Sequence, residues 1–427
     1  MAKASNARTG HGSNARTGHG SGAAPRQFEK SFTQQEPISE AAIARAVEIM
    51  RTGRLHRYNV ADDELSEAAL LEEDFAAWQG SRYALACTSG GYALHVALRA
   101  AGLKPGEKVL ANAYTLAPVP GAIHNAGGVP IFVEIDRNYH IDLDDLDAKA
   151  GTTGARFLLL SHMRGHIADM HAIVEICARR DITLVEDCAH TMGARYDGVR
   201  SGNFGKVACF STQTYKHINS GEGGLITTDD AEIAARAIIH SGSYMLYGRH
   251  GAAPGQDVFD RIKLETPNYS GRMDNVRAAL IRDGLAPRGD GLVALDHQVE
   301  RWNRRYRILE RGFRAIDGLS LPERDSREKF VGSSIQFRVE AVGRADIPDF
   351  VRRCAARGVE LKWFGAAEPK GFTSRYDSWR YLGEQQALPA TLDALEKTLD
   401  MRVPLTFSED DCRLITAIVG DVLHTML

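Results

Sequence analysis

Residues 183–228 read TLVEDCAHTMGARYDGVRSGNFGKVACFSTQTYKHINSGEGGLITT. The apolar, β-branched run that opens this stretch is typical of a buried strand, and it ends in Asp187. A second apolar run leads to Ser211 and then to Lys216, after which come a glycine-rich turn, SGEGG, and a third short strand, LITT. This order predicts a strand-end carboxylate 29 positions before a lysine that lies in a loop between two strands.

The pair of Asp187 and Lys216 has the chemistry that pyridoxal 5′-phosphate requires. This cofactor forms a Schiff base with a lysine amine, and a carboxylate keeps its ring nitrogen protonated so that the ring can accept electrons. It also needs hydrogen-bond donors for a phosphate dianion and a flat partner for the ring. A surface lysine and a strand-capping acid are the alternative for either residue alone. The pair, in order with Ser211 and SGEGG, favours the cofactor site.

The composition restricts the class of protein. The chain has 427 residues, of which 44% are hydrophobic and 25% are charged, and its net charge is −3. A length of this order predicts two joined domains, and the absence of a basic excess argues against a nucleic-acid partner. The apolar runs are too short to span a membrane, and the N-terminus lacks the apolar region of a signal peptide. Six cysteines without paired spacing fit a reduced compartment, so we expect a cytoplasmic protein without a metal site.

The sequence divides into three segments. Residues 1–30 contain the direct repeat SNARTGHG, and we expect a disordered tail because such a tract can bury little apolar surface. Residues 31–290 are expected to form a large cofactor-binding domain, which begins with a helical segment at 37–78. Residues 291–427 are expected to form a small α+β domain.

Strand and helix patterns alternate through the first half of the chain, which predicts an α/β fold with a mainly parallel sheet between helices. Ligands of such sheets bind outside the carboxyl ends of the strands. Ser89, Tyr114, His162 and Asp187 each fall at such an end, which predicts one shared site. The glycine-containing turn at Ser89 leads into a helix, whose free N-terminal amides can hold a phosphate.

The motifs, taken together, resemble a known family. The order TSGGYALHVAL, NAYTLAP, VEDCAH, GNFGKVACFSTQTYK, GEGG and NYSGRM is similar to the fold type I, pyridoxal-phosphate-dependent sugar aminotransferases of the DegT/DnrJ/StrS group. The resemblance covers roughly residues 36–427. It implies transfer of an amino group from glutamate or glutamine to a ketone on a sugar, a cyclitol or a related intermediate of secondary metabolism. It also implies a homodimer with shared active sites.

The resemblance assigns roles to individual residues. Lys216 matches the lysine that binds the cofactor, Asp187 the partner of the pyridine nitrogen, and His190 the residue beside the ring. Tyr114 matches the aromatic residue that stacks on the ring. The resemblance also implies five residues that contact the phosphate, which are Ser89, Gly90, Gly91, Ser211 and Asn268. Of these, Asn268 would reach the site of the partner subunit.

Two motifs depart from the family pattern at the phosphate. The usual SGT is Ser89–Gly91 here, which loses a threonine hydroxyl. The usual NYRM is NYSGRM, so Ser270 competes with Asn268 for the role at the partner's site.

Further departures concern the substrate. The usual HLYG is HMRG, which places Arg164 where a tyrosine is frequent, and Arg57 and Tyr58 stand where relatives often have small residues. Arginine binds planar oxyanions at two points, so Arg164 or Arg57 could meet a carboxylate. The substrate candidates are Arg164, Arg57, Tyr58 and His162, and structural or solvated arginines are the alternative.

Two other functions are compatible with the sequence. The unusual arginines would also suit an oxidase, dehydratase or cyclase that uses the same cofactor on an amino-acid-like substrate. A non-catalytic regulator that binds the cofactor is the second alternative, which the intact pair of Asp187 and Lys216 disfavours. The sequence does not identify the amino acceptor.

Overall fold

The computed structural model describes residues 25–61, 64–384 and 386–427. The α-helices in these residues are α1 Glu40–Thr52, α2 Glu67–Gln79, α3 Gly90–Ala100, α4 Pro118–Asn125, α5 Leu143–Thr153, α6 Met170–Arg180, α7 Ala231–Ser241, α8 Gln256–Ile262, α9 Asn275–Gly284, α10 Ala294–Arg314, α11 Ile347–Ala356, α12 Pro389–Glu396 and α13 Glu409–His424. The β-strands are β1 Tyr83–Cys87, β2 Lys108–Asn112, β3 Val129–Val133, β4 Phe157–Ser161, β5 Thr183–Asp187, β6 Arg195–Tyr196, β7 Val199–Arg200, β8 Val207–Ser211, β9 Gly224–Thr228, β10 Leu319–Ser320, β11 Glu328–Lys329, β12 Ser334–Val339, β13 Lys362–Trp363 and β14 Thr398–Arg402.

The helical segment predicted at 37–78 contains two helices with clear sequence signals. Ser39 caps α1 by accepting a hydrogen bond from the amide of Ala42, and Gly53 ends the helix with a φ of 70°. Ser66 and Gly80 have the same roles for α2. Hydroxyl caps and a left-handed glycine are local features that fix where both helices begin and end.

The large sheet has seven strands in the order β1-β9-β8-β5-β4-β2-β3. Strand β9 is antiparallel to both of its neighbours, and the other pairs are parallel. Parallel neighbours need a crossover connection, which is usually a helix, and this is why strands and helices alternate in the sequence. The predicted α/β fold with a mainly parallel sheet is confirmed.

Helices cover both faces of this sheet. Adjacent strand residues point to opposite faces, so Leu158 packs in a core with α5 and α6, whereas Leu159 packs in a core with α3, α4 and α7. Burial on both faces explains why the central strands are continuously apolar instead of alternating with polar residues. The polar groups of these strands are consequently concentrated at their carboxyl ends.

The second sheet, in the order β10-β12-β14-β13, forms its own core with α10, α11 and α13. Phe28 and Phe32 are buried in this core, where each ring meets Phe407 edge-on. The prediction of a disordered tail through residue 30 is therefore wrong for residues 25–30, because Phe28 anchors them. The rest of that tail, residues 1–24, lies outside the described residues.

The two cores are joined by a returning segment. Tyr376, Trp379 and Leu388 follow the first strands of the small sheet in sequence but are buried in the core of the large one. The boundary at residue 290 stays a prediction, and α10 begins just after it. Across the described residues, no helix combines the length and the apolar character that a membrane crossing needs. All six cysteines are free and buried.

Replacement of Phe28 by alanine should destabilise the protein by about 3 kcal/mol, since it removes a buried aromatic side chain and leaves a cavity. The urea midpoint of unfolding measures this loss. Leu264→Ala is the control, because Leu264 is 86% exposed and its removal should leave the midpoint almost unchanged. Equal midpoints for the two variants would show that Phe28 does not anchor the N-terminal segment.

Candidate active site

The carboxyl ends of β4 and β5 bring a hydroxyl and a carboxylate together. Ser161 and Asp187 are paired in the parallel register of these strands. The Ser161 hydroxyl donates to Asp187 Oδ2 at 2.9 Å, and the amide of Ala189 donates to Oδ1 at 3.1 Å. Both carboxylate oxygens are therefore oriented by the protein before any ligand binds.

Lys216 lies in the loop between β8 and β9, and its Nζ is 3.0 Å from His190 Nε2. Burial, with the charges of Lys216 and Arg164, holds the pKa of His190 well below its usual range. The imidazole is consequently neutral at neutral pH, and its Nε2 can accept a hydrogen bond from the lysine. The structure thus brings together two of the predicted site residues, Lys216 and His190.

The Lys216 amine is only partly protonated near neutral pH. Burial, followed by the charge of Arg164, lowers the pKa of Lys216 to about 7, with a smaller contribution from Arg402 in the same direction. Asp187 opposes this shift. A lysine with such a pKa is a nucleophile at neutral pH, whereas an ordinary surface lysine is a cation.

Lys216 and His190 separate two cavities. The inner cavity is lined by six of the nine predicted cofactor-binding residues, which are Gly90, Gly91, Asp187, His190, Ser211 and Lys216, and its lining also includes Leu116 and Ser161. The outer cavity lies between the large and small sheets, and its lining includes Arg164, His190, Tyr215, Lys216, His217 and Arg402. The reactive amine can therefore reach a ligand in either cavity.

The N-terminus of α3 forms one wall of the inner cavity. Gly90 is the first residue of the helix, and a Cβ at this position would lie 2.8 Å from Ser211 Cβ. Glycine is therefore required there, and it leaves the backbone open to a phosphate. Ser89 instead caps the helix by accepting from the amide of Tyr92. Gly90, Gly91 and Ser211 fit the phosphate role better than Ser89 does.

The predicted ring-stacking residue requires a correction. Tyr114 is 1% exposed, and its ring packs against Tyr139 and Phe364 with centroid distances of 5.4 and 5.1 Å. Tyr114 does not line the inner cavity, whereas Leu116, two positions later in the sequence, does. Tyr114 packs behind the cavity wall. Leu116 is therefore better positioned than Tyr114 to contact the ring of a cofactor in this cavity.

Arg57 and Tyr58 do not lie in either cavity, so their interpretation as substrate-binding residues is corrected. Arg57 donates two hydrogen bonds to Glu72, at 2.8 and 2.9 Å, and both side chains are fully buried. The Tyr58 hydroxyl lies 2.8 Å from His250 Nε2, and the other ring nitrogen of His250 contacts Arg57. Although burial acts to raise it, Arg57 and His250 lower the pKa of the Glu72 carboxyl to about 2.

His162, a further substrate candidate, also has a structural partner. Its Nε2 lies 3.0 Å from Glu186, whose carboxylate accepts from the amides of three residues of the loop before β8. These residues are Gly202, Phe204 and Gly205. Ligand atoms of His162, Glu186 and Cys188 lie within 4.8 Å of one another, as a metal site would require. Because both Glu186 oxygens already accept hydrogen bonds, we interpret this cluster as a brace for the loop.

Arg164 is the substrate candidate that reaches the outer cavity. It adopts a left-handed backbone with a φ of 56°, and its side chain is 7% exposed. Its guanidinium forms an ion pair with Asp400 at 2.8 Å, and its Nε has no hydrogen-bond partner in the described part of the chain. The structure thus places a fixed cation beside the reactive lysine.

Asn268 and Ser270 share one exposed turn. Asn268 Oδ1 accepts from the amide of Ser270 at 2.8 Å, and Ser270 has a left-handed φ of 56°. Neither residue lines the inner cavity. Their competing roles at a partner subunit stay predictions.

Sequence reasoning missed four residues of the site, and the signals differ. Ser161 directly precedes the predicted residue His162, and Tyr215 directly precedes Lys216. Their positions next to predicted residues could have identified both. Leu116 is an ordinary apolar residue within NAYTLAP, and Arg402 lies in the small domain, far from every motif. Only the packing of the small sheet against the large one reveals Arg402.

Residues 38–419 match the model of the DegT/DnrJ/EryC1/StrS aminotransferase family. The chain belongs to this family.

Two curated relatives are about one third identical to it. A pleiotropic regulatory protein of Geobacillus stearothermophilus is 33% identical over 49% of this chain and 54% of its own length. The GDP-perosamine synthase of Caulobacter vibrioides is 33% identical over 54% of this chain and 59% of its own length. The matched part thus spans a little over half of each of these relatives.

A solved structure of the family covers more of the chain. DesV of S. venezuelae, in complex with a ketimine intermediate, is 25% identical with a TM-score of 0.74. The match covers 94% of this chain and 99% of DesV. This coverage extends over both sheets, so the two chains share the fold.

Replacement of Arg57 by methionine should destabilise the protein by about 3–5 kcal/mol, because it leaves the Glu72 carboxylate buried without its partner. Urea unfolding measures this loss. The control is Arg54→Met, since the ion pair that the Arg54 side chain forms with Glu64, at 3.3 Å, is exposed to solvent. If Arg57→Met altered substrate affinity at unchanged stability, the structural role of Arg57 would be refuted.

The pKa of Lys216 predicts a pH dependence. The rate at which pyridoxal 5′-phosphate attaches to the apoprotein should rise from about pH 6 to about pH 8, because only the unprotonated amine attacks an aldehyde. Stopped-flow absorbance measures this rate. Arg402→Met should move the midpoint to higher pH by removing a charge that lowers the pKa of Lys216, and the exposed Arg413→Met should not. A midpoint near the ordinary lysine value of 10.5 would contradict the buried amine.

Proposed function

We propose that this protein is a pyridoxal-phosphate-dependent aminotransferase. It transfers an amino group from glutamate or glutamine to a ketone on a sugar, a cyclitol or a related biosynthetic intermediate. The observation that carries this proposal is the position of Lys216, whose partly unprotonated amine lies between a cavity that contains Asp187 and a second cavity open to a substrate. Membership of the family and the relative named GDP-perosamine synthase support it.

The inner cavity fits the cofactor in its donor and acceptor groups. Asp187 can accept from a protonated ring nitrogen, and the amides at Gly90 and Gly91, with the Ser211 hydroxyl, can hold a phosphate. Lys216 supplies the amine for the aldehyde, and Leu116 supplies an apolar surface for the ring. When bound, the cofactor supplies an electron sink for the negative charge that develops as a C–H bond of the substrate breaks.

The residues of the chain then divide the work of proton transfer. In its neutral form, Lys216 Nζ can take the proton from the α-carbon of the donor and deliver it, in the same half-reaction, to the cofactor carbon that bore the aldehyde. In the second half it would move a proton in the opposite direction, from that carbon to the carbon of the ketone acceptor. His190 Nε2 orients this amine through their 3.0 Å contact. Over the complete cycle the donor leaves as an oxo acid and the ketone leaves as an amine, so no external oxidant or reductant is consumed.

The subunit arrangement and the location are part of the same proposal. The turn that carries Asn268 and Ser270 is exposed and lies outside the inner cavity, so a role at a phosphate would need a second copy of the chain. This supports a homodimer with shared sites. The six free, buried cysteines are compatible with a cytoplasmic location.

One relative is named a pleiotropic regulatory protein, which favours a regulator as the second candidate function. The two candidates differ in turnover. Conversion of the bound cofactor to its amine form by glutamate or glutamine, followed by its recovery with a ketone, would support the aminotransferase. Cofactor binding without conversion by either donor would support the regulator instead.

Lys216→Ala should abolish multiple-turnover transamination and the visible absorbance band of the lysine-bound cofactor, because the variant lacks both the covalent attachment and the proton carrier. Absorbance spectra and amine formation measure the two effects. Lys206→Ala is the matched control, since Lys206 is an exposed lysine outside both cavities, and it should retain the band and the rate. Full turnover by Lys216→Ala would disprove the assignment.

A further inference from the structure

The outer cavity contains a second arginine that no motif predicts. Arg402 ends β14, the strand on which Asp400 lies two positions earlier. Residues two apart on a strand point to the same side, so this strand presents an acid and a base together. Both arginines then approach one aromatic ring: the guanidinium carbons of Arg164 and Arg402 are 4.8 and 5.1 Å from the ring centroid of Phe372.

The two arginines differ in their counter-charges. Arg164 is neutralised by Asp400, whose other carboxylate oxygen accepts from Gln336 at 2.7 Å. Arg402 has no carboxylate within ion-pair distance among the described residues. Its guanidinium lies over the ring of Tyr215, with 3.8 Å between its central carbon and the ring centroid. The Tyr215 side chain also forms a hydrogen bond with Arg402, but a guanidinium has five N–H donors, so others stay available for a ligand.

The acids that line the same cavity do not provide Arg402 with an ion-pair partner. Glu36 forms an ion pair with Arg301, and Asp283 lies on α9 without an ion pair to Arg402. Burial, with the neighbouring Arg164, lowers the pKa of Arg402, and the opposing effects of Asp400 and Tyr215 do not offset this shift, so on balance the surroundings disfavour its charge. A partly buried cation beside a second cation and a lysine is unfavourable until an anion enters.

We infer that Arg402 binds a carboxylate of the substrate in the outer cavity, with Arg164 held in place by Asp400 as the second cation of the same site. The inference rests on the proposed function, because it places this carboxylate on a molecule that reacts at Lys216. A planar guanidinium can donate two parallel hydrogen bonds to a carboxylate, which fixes the orientation of the reacting carbon. The carboxylate can belong to the amino donor or to the ketone acceptor.

The test is equilibrium binding of glutarate, an unreactive dicarboxylate, to the holoenzyme by calorimetry. Arg402→Met should weaken binding by about tenfold or more, since a hydrogen-bonded charge pair contributes at least that factor. Arg402→Lys should recover only part of the affinity, because a lysine cannot form the two-point contact. Arg413→Met, at an exposed arginine of α13, should bind glutarate as the unsubstituted protein does.

Glutaramide has nearly the same shape as glutarate but no charge, so it shows whether binding depends on the charge of the ligand or on its shape. It should bind weakly to every variant and show no dependence on Arg402. Equal glutarate affinity in the unsubstituted protein and in Arg402→Met, with the cofactor band and the unfolding midpoint preserved, would overturn the inference. So would an equal loss of glutarate and glutaramide binding.

Two half-reactions identify the source of the carboxylate. If it belongs to the donor, Arg402→Met raises the glutamate concentration needed to convert the cofactor to its amine form. If it belongs to the acceptor, the variant instead slows the reverse conversion by the keto acid levulinate but not by neutral 2-butanone. Because glutarate binding requires no turnover, an Arg402-dependent affinity in a protein that fails to transaminate would disprove the proposed function and not the anion site.

Discussion

The parallel pairing of Ser161 with Asp187 is the constraint on which the site depends. It places the carboxyl ends of β4 and β5 level with each other, so a hydroxyl can orient the carboxylate at 2.9 Å. The next strand, β8, continues the same alignment, since Asp187 is paired with Cys209. The loop between β8 and β9 then brings Lys216 back to the cavity that Asp187 also lines. A shift of one residue in this register would turn Asp187 into the apolar layer.

Lys216 lies close to two arginines, and its own positive charge is destabilised by them and by burial. Arg164 and Arg402 approach it from the small-sheet side, whereas Asp187 faces it from the large sheet. Burial removes the solvation that would otherwise keep the amine charged. The result is a pKa of about 7, which suits an amine that must exchange a proton near neutrality. The two arginines therefore affect the lysine whether or not they also bind a substrate.

Polar residues near the site do not all belong to its chemistry. Arg57 completes a buried ion pair with Glu72, and His162 helps Glu186 hold the loop before β8. Both were reasonable substrate candidates from their positions in the sequence. A buried charge needs a partner wherever it lies. A charged residue beside a motif can therefore have a structural role as well as a substrate-binding role. The sequence shows the residue type but not the partner.

The sequence by itself determined the α/β class and the N-terminal helical segment, and it placed Asp187 at a strand end and Lys216 in a loop between two strands. These features depend on local patterns, which are the spacing of apolar residues and the polar residues at strand ends.

Only the tertiary structure decided which side chains face the cavities. It placed Leu116 instead of Tyr114 at the inner wall, anchored Phe28 in the small-domain core, and brought Arg402 to Lys216. These outcomes depend on contacts between segments far apart in the chain, and no local pattern encodes such contacts because they exist only once the two sheets have packed together.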